Sequence, residues 1–145
     1  MYKEDTLKKY LDDLAAKLPA PGGGSAAAFS AALGAALVSM VVNFTLGKPK
    51  YSHFEEELKL ILEKSEKFRE EFLRLVDLDV QAYKSKDTQQ ALSVPLALAR
   101  LCREAVELCM PLIEKGNTRL ISDVAVAAIL LEGAFCSARQ NIEIN

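Results

Sequence analysis

The chain has 145 residues, half of them hydrophobic, and carries 18 Lys and Arg against 20 Asp and Glu for a net charge of −2 at pH 7. That length suits a single domain, residues 1–145, burying roughly 68–70% of its unfolded surface. The near-neutral balance, with both signs interspersed, excludes the basic footprint of a nucleic-acid binder.

A first helix is predicted after a cap at Asp5 or Thr6. Its apolar positions are Leu7, Tyr10, Leu11, Leu14 and Leu18. Pro19 and Pro21 end it. Pro19-Ala-Pro-Gly-Gly-Gly-Ser25 follows, and no charged side chain occurs between Lys17 and Lys48. Three glycines in a row imply a backbone that approaches something closely or adopts φ > 0. Ser25 is read as the N-cap of a second helix running to about Leu46. The amides at such a terminus can receive a carboxylate or phosphate. A tight connection between packed helices is the alternative. The second helix is long enough to cross a bilayer, but Ala27, Ala31, Ala35 and Ser39, with Ser30 and Gly34, form small-residue stripes that suit close helix packing. We read it as a central buried helix touching a partner subunit, with a membrane span the lesser reading.

Gly47-Lys-Pro-Lys-Tyr51 breaks the chain, and Ser52-His-Phe-Glu55 reads as a capping box opening a third helix. Its stripe is Phe54, Leu58, Ile61, Leu62, Phe68, Phe72, Leu75, Val76 and Tyr83. Asp79 falls on this stripe, whereas Asp77 points elsewhere. A carboxylate there is costly unless paired, hydrogen-bonded or protonated, so Asp79 is either functional or a structural aspartate bonded to a lysine or a helix terminus. Lys84–Thr88 is a polar turn. A fourth helix spans about 88–115 and contains Pro95 and Pro111, each expected to bend or break it. Gly116-Asn117 closes it, and Ser122-Asp123 opens a fifth. No segment alternates with period two for long, so the class is all-α: about five helices in an orthogonal or antiparallel bundle around the small-residue helix.

Lone His53 reads as an exposed first-turn residue, and no zinc, nucleotide or nucleophile-elbow motif appears. Cys102 and Cys109 read as buried small hydrophobes. Three cysteines without metal spacing, and no basic run before a short apolar core near Met1, point to a reducing, cytoplasmic setting.

The glycine loop, Asn43-Phe-Thr45 with Lys48-x-Lys-Tyr51, Asp77-x-Asp-x-x-Ala-Tyr83, Val94-Pro95, Gly116-Asn117 through Ser122-Asp123-x-x-Val-Ala127, and Asn141-x-x-x-Asn145 occur in that order. Together they resemble the formimidoyltetrahydrofolate cyclodeaminase and methenyltetrahydrofolate cyclohydrolase family. The resemblance implies an all-helical homodimer acting in folate one-carbon metabolism, with a tetrahydrofolate derivative as substrate, no cofactor, no metal, and neither nucleic acid nor membrane as partner. It also implies Asp79 as the acid/base, with Asp123 second. Gly22, Gly23, Gly24 and Ser25 would hold an anionic or carbonyl group through backbone N–H. Lys50, or alternatively Lys48, would pair with a folate carboxylate or tune an Asp, and Asn43, Asn117 and Ser122 would bond the pterin. Family members usually have a longer segment after the Asp-x-x-Ala-Tyr motif and continue beyond the final Asn. The rival expectation is therefore a non-catalytic dimeric protein that kept the fold, with or without folate binding.

Overall fold

The computed structural model describes residues 1–144, and its organising element is α2, Gly23–Thr45. Twelve of its 23 residues are buried, eleven of them Ala, Val, Ser or Gly, including Ala27, Ala31, Ala35 and Ser39 of the small-residue stripe and Gly34. Gly34 shows why small size matters. A Cβ there would lie 2.9 Å from Leu131 Cγ and 3.1 Å from the Ala127 carbonyl. Gly34→Ala is expected to overpack this crossing and cost about 1–3 kcal/mol in a urea titration.

Three further helical rods surround α2. α3 (Glu55–Ser85) and α6 (Ile121–Ile144) both run antiparallel to it. α4 (Thr88–Val106) and α5 (Cys109–Lys115) form one broken rod beside α3 and α6, parallel to α2. α1 (Leu7–Ala15) and the preceding turn Tyr2–Glu4 cover the end of the bundle where α2 starts. The result is an all-α, up-down bundle with antiparallel neighbours. Phe72, Leu75, Leu58, Leu98, Leu112 and Leu131 are fully buried at its centre, drawn from the three rods that surround α2.

Local chemistry explains where the helices begin and end. Thr6 caps α1 by accepting the Lys9 N–H at 3.1 Å, and Asp87 caps α4 through Gln90 N–H at 3.1 Å. Lys86 stops α3 in the left-handed region, at φ 57°. The fourth expected helix divides at 107–108, one turn ahead of Pro111. Pro111 thus falls in the first turn of α5, where a missing N–H leaves no bond unmade. Pro95 stays inside α4.

Three expectations are corrected. Ser25 is not the cap of α2. Gly22 is, and Ser25 lies one turn inside with its hydroxyl buried. The Ser52–Glu55 capping box does not form, because residues 49–54 make a 3₁₀ turn and α3 starts at Glu55 without a side-chain cap. Leu7, Leu11 and Leu18 are exposed, so α1 holds on mainly through Tyr10 and half-buried Leu14. Gly116 ends the helical segment as expected, as the C-cap of α5, with an extended backbone. It is required to be small, since a Cβ would meet the Leu112 carbonyl at 2.6 Å.

Candidate functional site

The glycine loop and Asp79 meet. Asp79 sits on α3 opposite the first turn of α2, where its carboxylate accepts the Ser25 backbone N–H. It lies so close to Gly24 that a Cβ on that glycine would come 2.8 Å from Asp79 Cγ. None of the three loop glycines has a positive φ, so close approach and not backbone handedness explains Gly24. At Gly22 and Gly23 an added Cβ would meet nothing within 4 Å. They are not needed for packing, and both line a cavity of about 320 Å³ together with Pro19, Gly24, Asp79 and Asn141. That volume lies at the low end of ligand pockets.

Two influences oppose each other at Asp79. Burial penalises its charged form and raises the pKa from the ordinary 3.8, while the Ser25 amide lowers it; burial prevails. The first-turn amides of a helix have no intrahelical acceptor, and Asp79 takes one of them, leaving Gly22–Gly24 as the backbone that faces the cavity. The expected anion site at this terminus is therefore partly filled from within the chain, by a carboxyl group whose pKa burial raises.

The neighbouring side chains hold this arrangement in place. Ser25 Oγ donates to the Val76 carbonyl at 3.0 Å and bonds Tyr10 Oη at 2.9 Å, tying α1, α2 and α3 together one turn before Asp79. Asp77 is the more buried carboxylate of the pair, at 3% exposure. It accepts Tyr2 N–H at 2.7 Å and Lys3 N–H at 3.2 Å, which anchors the N-terminal turn. The helical period placed Asp77 off the core stripe of α3, and the N-terminal turn is what covers it.

The other expected site residues gather at the opposite end. α2 has 23 residues, so its ends are about 34 Å apart. Asn43, exposed on the last turn of α2, and Lys48 and Lys50, exposed just after it, are at the far end from Asp79. Lys48 lines a separate cavity of about 220 Å³ with Tyr51 and Glu55, and Lys50 Nζ stands 5.5 Å from the Tyr51 ring centre. The Tyr51 hydroxyl accepts Thr118 N–H at 3.2 Å, which holds its pKa below the ordinary 10.0. Asn117 is buried, and its side chain accepts Arg119 N–H at 3.0 Å and donates to the Phe44 carbonyl at 3.2 Å. Asn117→Ala should thus cost about 1–3 kcal/mol of stability by urea denaturation. Ser122 is exposed and Asp123 half-buried, both in the first turn of α6. Within one chain, then, Asp79 and Asp123 do not meet.

The 320 Å³ cavity also recruits Tyr83 and Asn141, both standing in motifs visible in the sequence but assigned no role there, and Ala91 and Pro95 of α4. Asn145 lies outside the described residues. Cys102 and Cys109 are buried and their thiols are pushed up to about 12 and about 11 by burial, as inert small hydrophobes should be. His53 is exposed in the 3₁₀ turn, just ahead of α3.

With this geometry in view, the sequence profile described as formiminotransferase-cyclodeaminase matches residues 6–86 and 84–145. The chain belongs to the formiminotransferase-cyclodeaminase family. It is 40% identical over 168 positions to a methenyltetrahydrofolate cyclohydrolase of Methylorubrum extorquens, across 100% of this chain and 81% of that protein. It is 31% identical to the formimidoyltransferase-cyclodeaminase of Rattus norvegicus, across 97% of this chain but 30% of that longer protein. Its fold superposes on the crystal structure of formiminotetrahydrofolate cyclodeaminase from Thermotoga maritima with a TM-score of 0.92, at 30% identity, covering 99% of this chain and 79% of that one. The two matched blocks of the family profile meet at residues 84–86, the turn between α3 and α4. The cyclohydrolase alignment also needs more positions than this chain has residues.

Proposed function

We propose that this family member acts in folate one-carbon metabolism on a tetrahydrofolate derivative, as a methenyltetrahydrofolate cyclohydrolase. The observation that carries the reading is the Asp79 carboxyl group, partly desolvated, bonded to the Ser25 amide and lining a pocket together with the glycine backbone. The 40% identity to the cyclohydrolase supports this reaction over its rival. Cyclodeamination is the second reading, favoured by the fold match to the Thermotoga maritima cyclodeaminase.

In the hydrolytic direction, water adds to the methenyl carbon and gives one proton to the Asp79 carboxylate. The tetrahedral adduct then loses its hydroxyl proton to solvent and collapses to a formyl group on N10, while the bond from carbon to N5 breaks and N5 takes the proton held by Asp79. A single positioned carboxyl can supply about 10²–10⁴-fold for such transfers. The Gly22–Gly24 backbone would hold a carbonyl or anionic group of the ligand in place. This reading uses no cofactor or metal besides the folate. Loss of the methenyl absorbance on mixing with purified protein tests it. Absorbance that stays unchanged at substrate excess would sink the hydrolytic reading, and ammonia release from the 5-formimino compound would install the second.

The reading includes a homodimer in the cytoplasm. The outer faces of the adjacent helices α2 and α6 are apolar and open: Leu33, Phe44, Val126 and Ile129 are 45–67% exposed. The span Thr118–Ile144 is long and apolar enough to cross a membrane yet only 22% of its most apolar window is buried. A second copy lying antiparallel on this face would cover it. The same packing would bring Asn43, Lys48, Lys50, Ser122 and Asp123 of one protomer toward the glycine loop and Asp79 of its partner. Ile129→Glu should then give a monomer by analytical ultracentrifugation that has lost turnover. An active wild-type monomer would refute the shared pocket.

A further inference from the structure

α1 docks on the bundle through one main side chain. Of its nine residues Tyr10 is the buried one, at 5% exposure, while Leu7 and Leu11 face solvent. The Tyr10 ring packs edge-on against Tyr2, 5.3 Å between centres, and lies 5.5 Å from the Phe29 ring of α2. Its hydroxyl stands 2.9 Å from Ser25 Oγ. The direction of that bond follows from counting protons. A serine hydroxyl has one, and Ser25 donates it to the Val76 carbonyl at 3.0 Å. Tyr10 O–H is therefore the donor and Ser25 Oγ the acceptor. Burial, with the Asp79 and Asp77 charges nearby, raises the Tyr10 pKa above its ordinary 10.0 against the Ser25 bond that lowers it. The phenol thus keeps its proton wherever carboxylates titrate.

Ser25 is gripped at both ends. Its hydroxyl is fixed by Tyr10 and by Val76 of α3, and its backbone N–H donates to Asp79, three residues further along α3. Ser25 is also fully buried, so without the Tyr10 O–H its oxygen would lack a donor where solvent does not reach.

We propose that Tyr10 is a positioning residue for the reaction: by fixing Ser25 it holds the amide that orients the Asp79 carboxylate in its pocket. The inference rests on the reading of Asp79 as the acid/base group and deepens it. Tyr10 does not line the 320 Å³ cavity and acts through Ser25. The N-terminal turn gains a part in the same chain of contacts, since Asp77 anchors Tyr2 and the Tyr2 ring backs that of Tyr10.

The test compares the wild type with Tyr10→Phe, Ser25→Ala, the double variant and Leu14→Ala. Tyr10→Phe can keep both ring contacts and removes only the hydroxyl. It should lower the melting temperature by about 2–4 °C. Its kcat on methenyltetrahydrofolate should fall about tenfold, with KM little changed. The Ser25 amide lowers the Asp79 pKa, so a looser bond lets burial raise it further. The acid limb of kcat against pH, which reports loss of the proton from the base, should thus move to higher pH. The carbon-13 NMR titration of the Asp79 carboxyl should move with it. Ser25→Ala should reproduce both effects, and adding Tyr10→Phe to it should change nothing more. Leu14, half-buried on α1, packs on the core outside this relay. Leu14→Ala should lower the melting temperature while kcat and both titrations stay in place.

Unchanged kcat and an unchanged Asp79 titration in Tyr10→Phe would overturn the proposal. Equal losses in Tyr10→Phe and Leu14→Ala would also overturn it, by making the docking of α1 the cause instead of the hydroxyl. If the wild type turns over no folate while the Asp79 titration still moves up in Tyr10→Phe, the positioning of Asp79 stands and its acid/base role falls.

Discussion

Asp79→Asn is expected to lower kcat by about 10²–10⁴-fold and, at neutral pH, to make the protein more stable than the wild type. Both effects have one cause. Burial raises the Asp79 pKa above its ordinary 3.8, so between 3.8 and the raised value the folded state holds more proton than the unfolded one. Stability contributed by the protonated form is fully present below 3.8 and is lost as pH rises through the folded pKa. Asparagine keeps an oxygen that can accept the Ser25 N–H but cannot ionise, so the variant escapes the cost of a buried charge. Melting temperatures of the two proteins should therefore differ most near neutrality and converge as the pH is lowered toward 3.8. Full turnover by the variant would remove Asp79 from the mechanism. A stability difference that does not change with pH would show that its carboxylate is not desolvated.

Gly24→Ala is expected to damage activity nearly as much while sparing the fold. The new methyl group would stand 2.8 Å from Asp79 Cγ and 2.9 Å from Oδ2. The carboxylate is the end of a side chain and can swing away, so the clash displaces the proposed acid/base group without forcing α2 from α3. Replacing a helical glycine by alanine also reduces the entropy lost on folding, by about 0.4–1 kcal/mol in favour of the variant. The expected result is a melting temperature close to that of the wild type and a kcat reduced by at least about tenfold, since small displacements of a positioned group can cost about 10²-fold. Equal activity would mean that the contact of Gly24 with Asp79 has no part in catalysis. Gly23→Ala is the informative companion. It meets no protein atom within 4 Å, so any loss of affinity there reports on the ligand.

The all-α class, the central small-residue helix and the junction of glycine loop with helix were legible in the sequence because they depend on neighbours along the chain. Apolar residues three and four apart define a helix and its buried face, and the stripe through Ala27, Ala31 and Ala35 is buried as its composition required. The motif string from Pro19 to Asn145 was also enough to indicate the family. Periodicity states the angle of a residue around its own helix, however, and not what another segment places over it. It therefore placed Asp77 off the core stripe, where the N-terminal turn nevertheless buries it. It also left Leu7 and Leu11 in a core that α1 does not reach. Capping misled for a similar reason: Ser25 has the right side chain for an N-cap, but Tyr10 and the Val76 carbonyl offer its hydroxyl a buried place one turn further in.

The composition of the site was a matter for tertiary structure alone. Sequence order put the glycine loop, Asn43, Lys48, Asp79, Asn117 and Asp123 on one list of polar residues, with nothing to say which of them are neighbours. The antiparallel return of α3 carries Asp79 back to the start of α2, and the return of α6 carries Asn141 there, while Asn117 and Asp123 remain at the other end, about 34 Å away. What the sequence determined by itself was which segments are helical and which face of each avoids water, because these follow from local spacing and the free energy of apolar burial. Which carboxylate faces a pocket, and with what partners, was decided only by the direction in which each helix returns, since desolvation and hydrogen bonding at Asp79 arise from atoms more than fifty residues away in the chain.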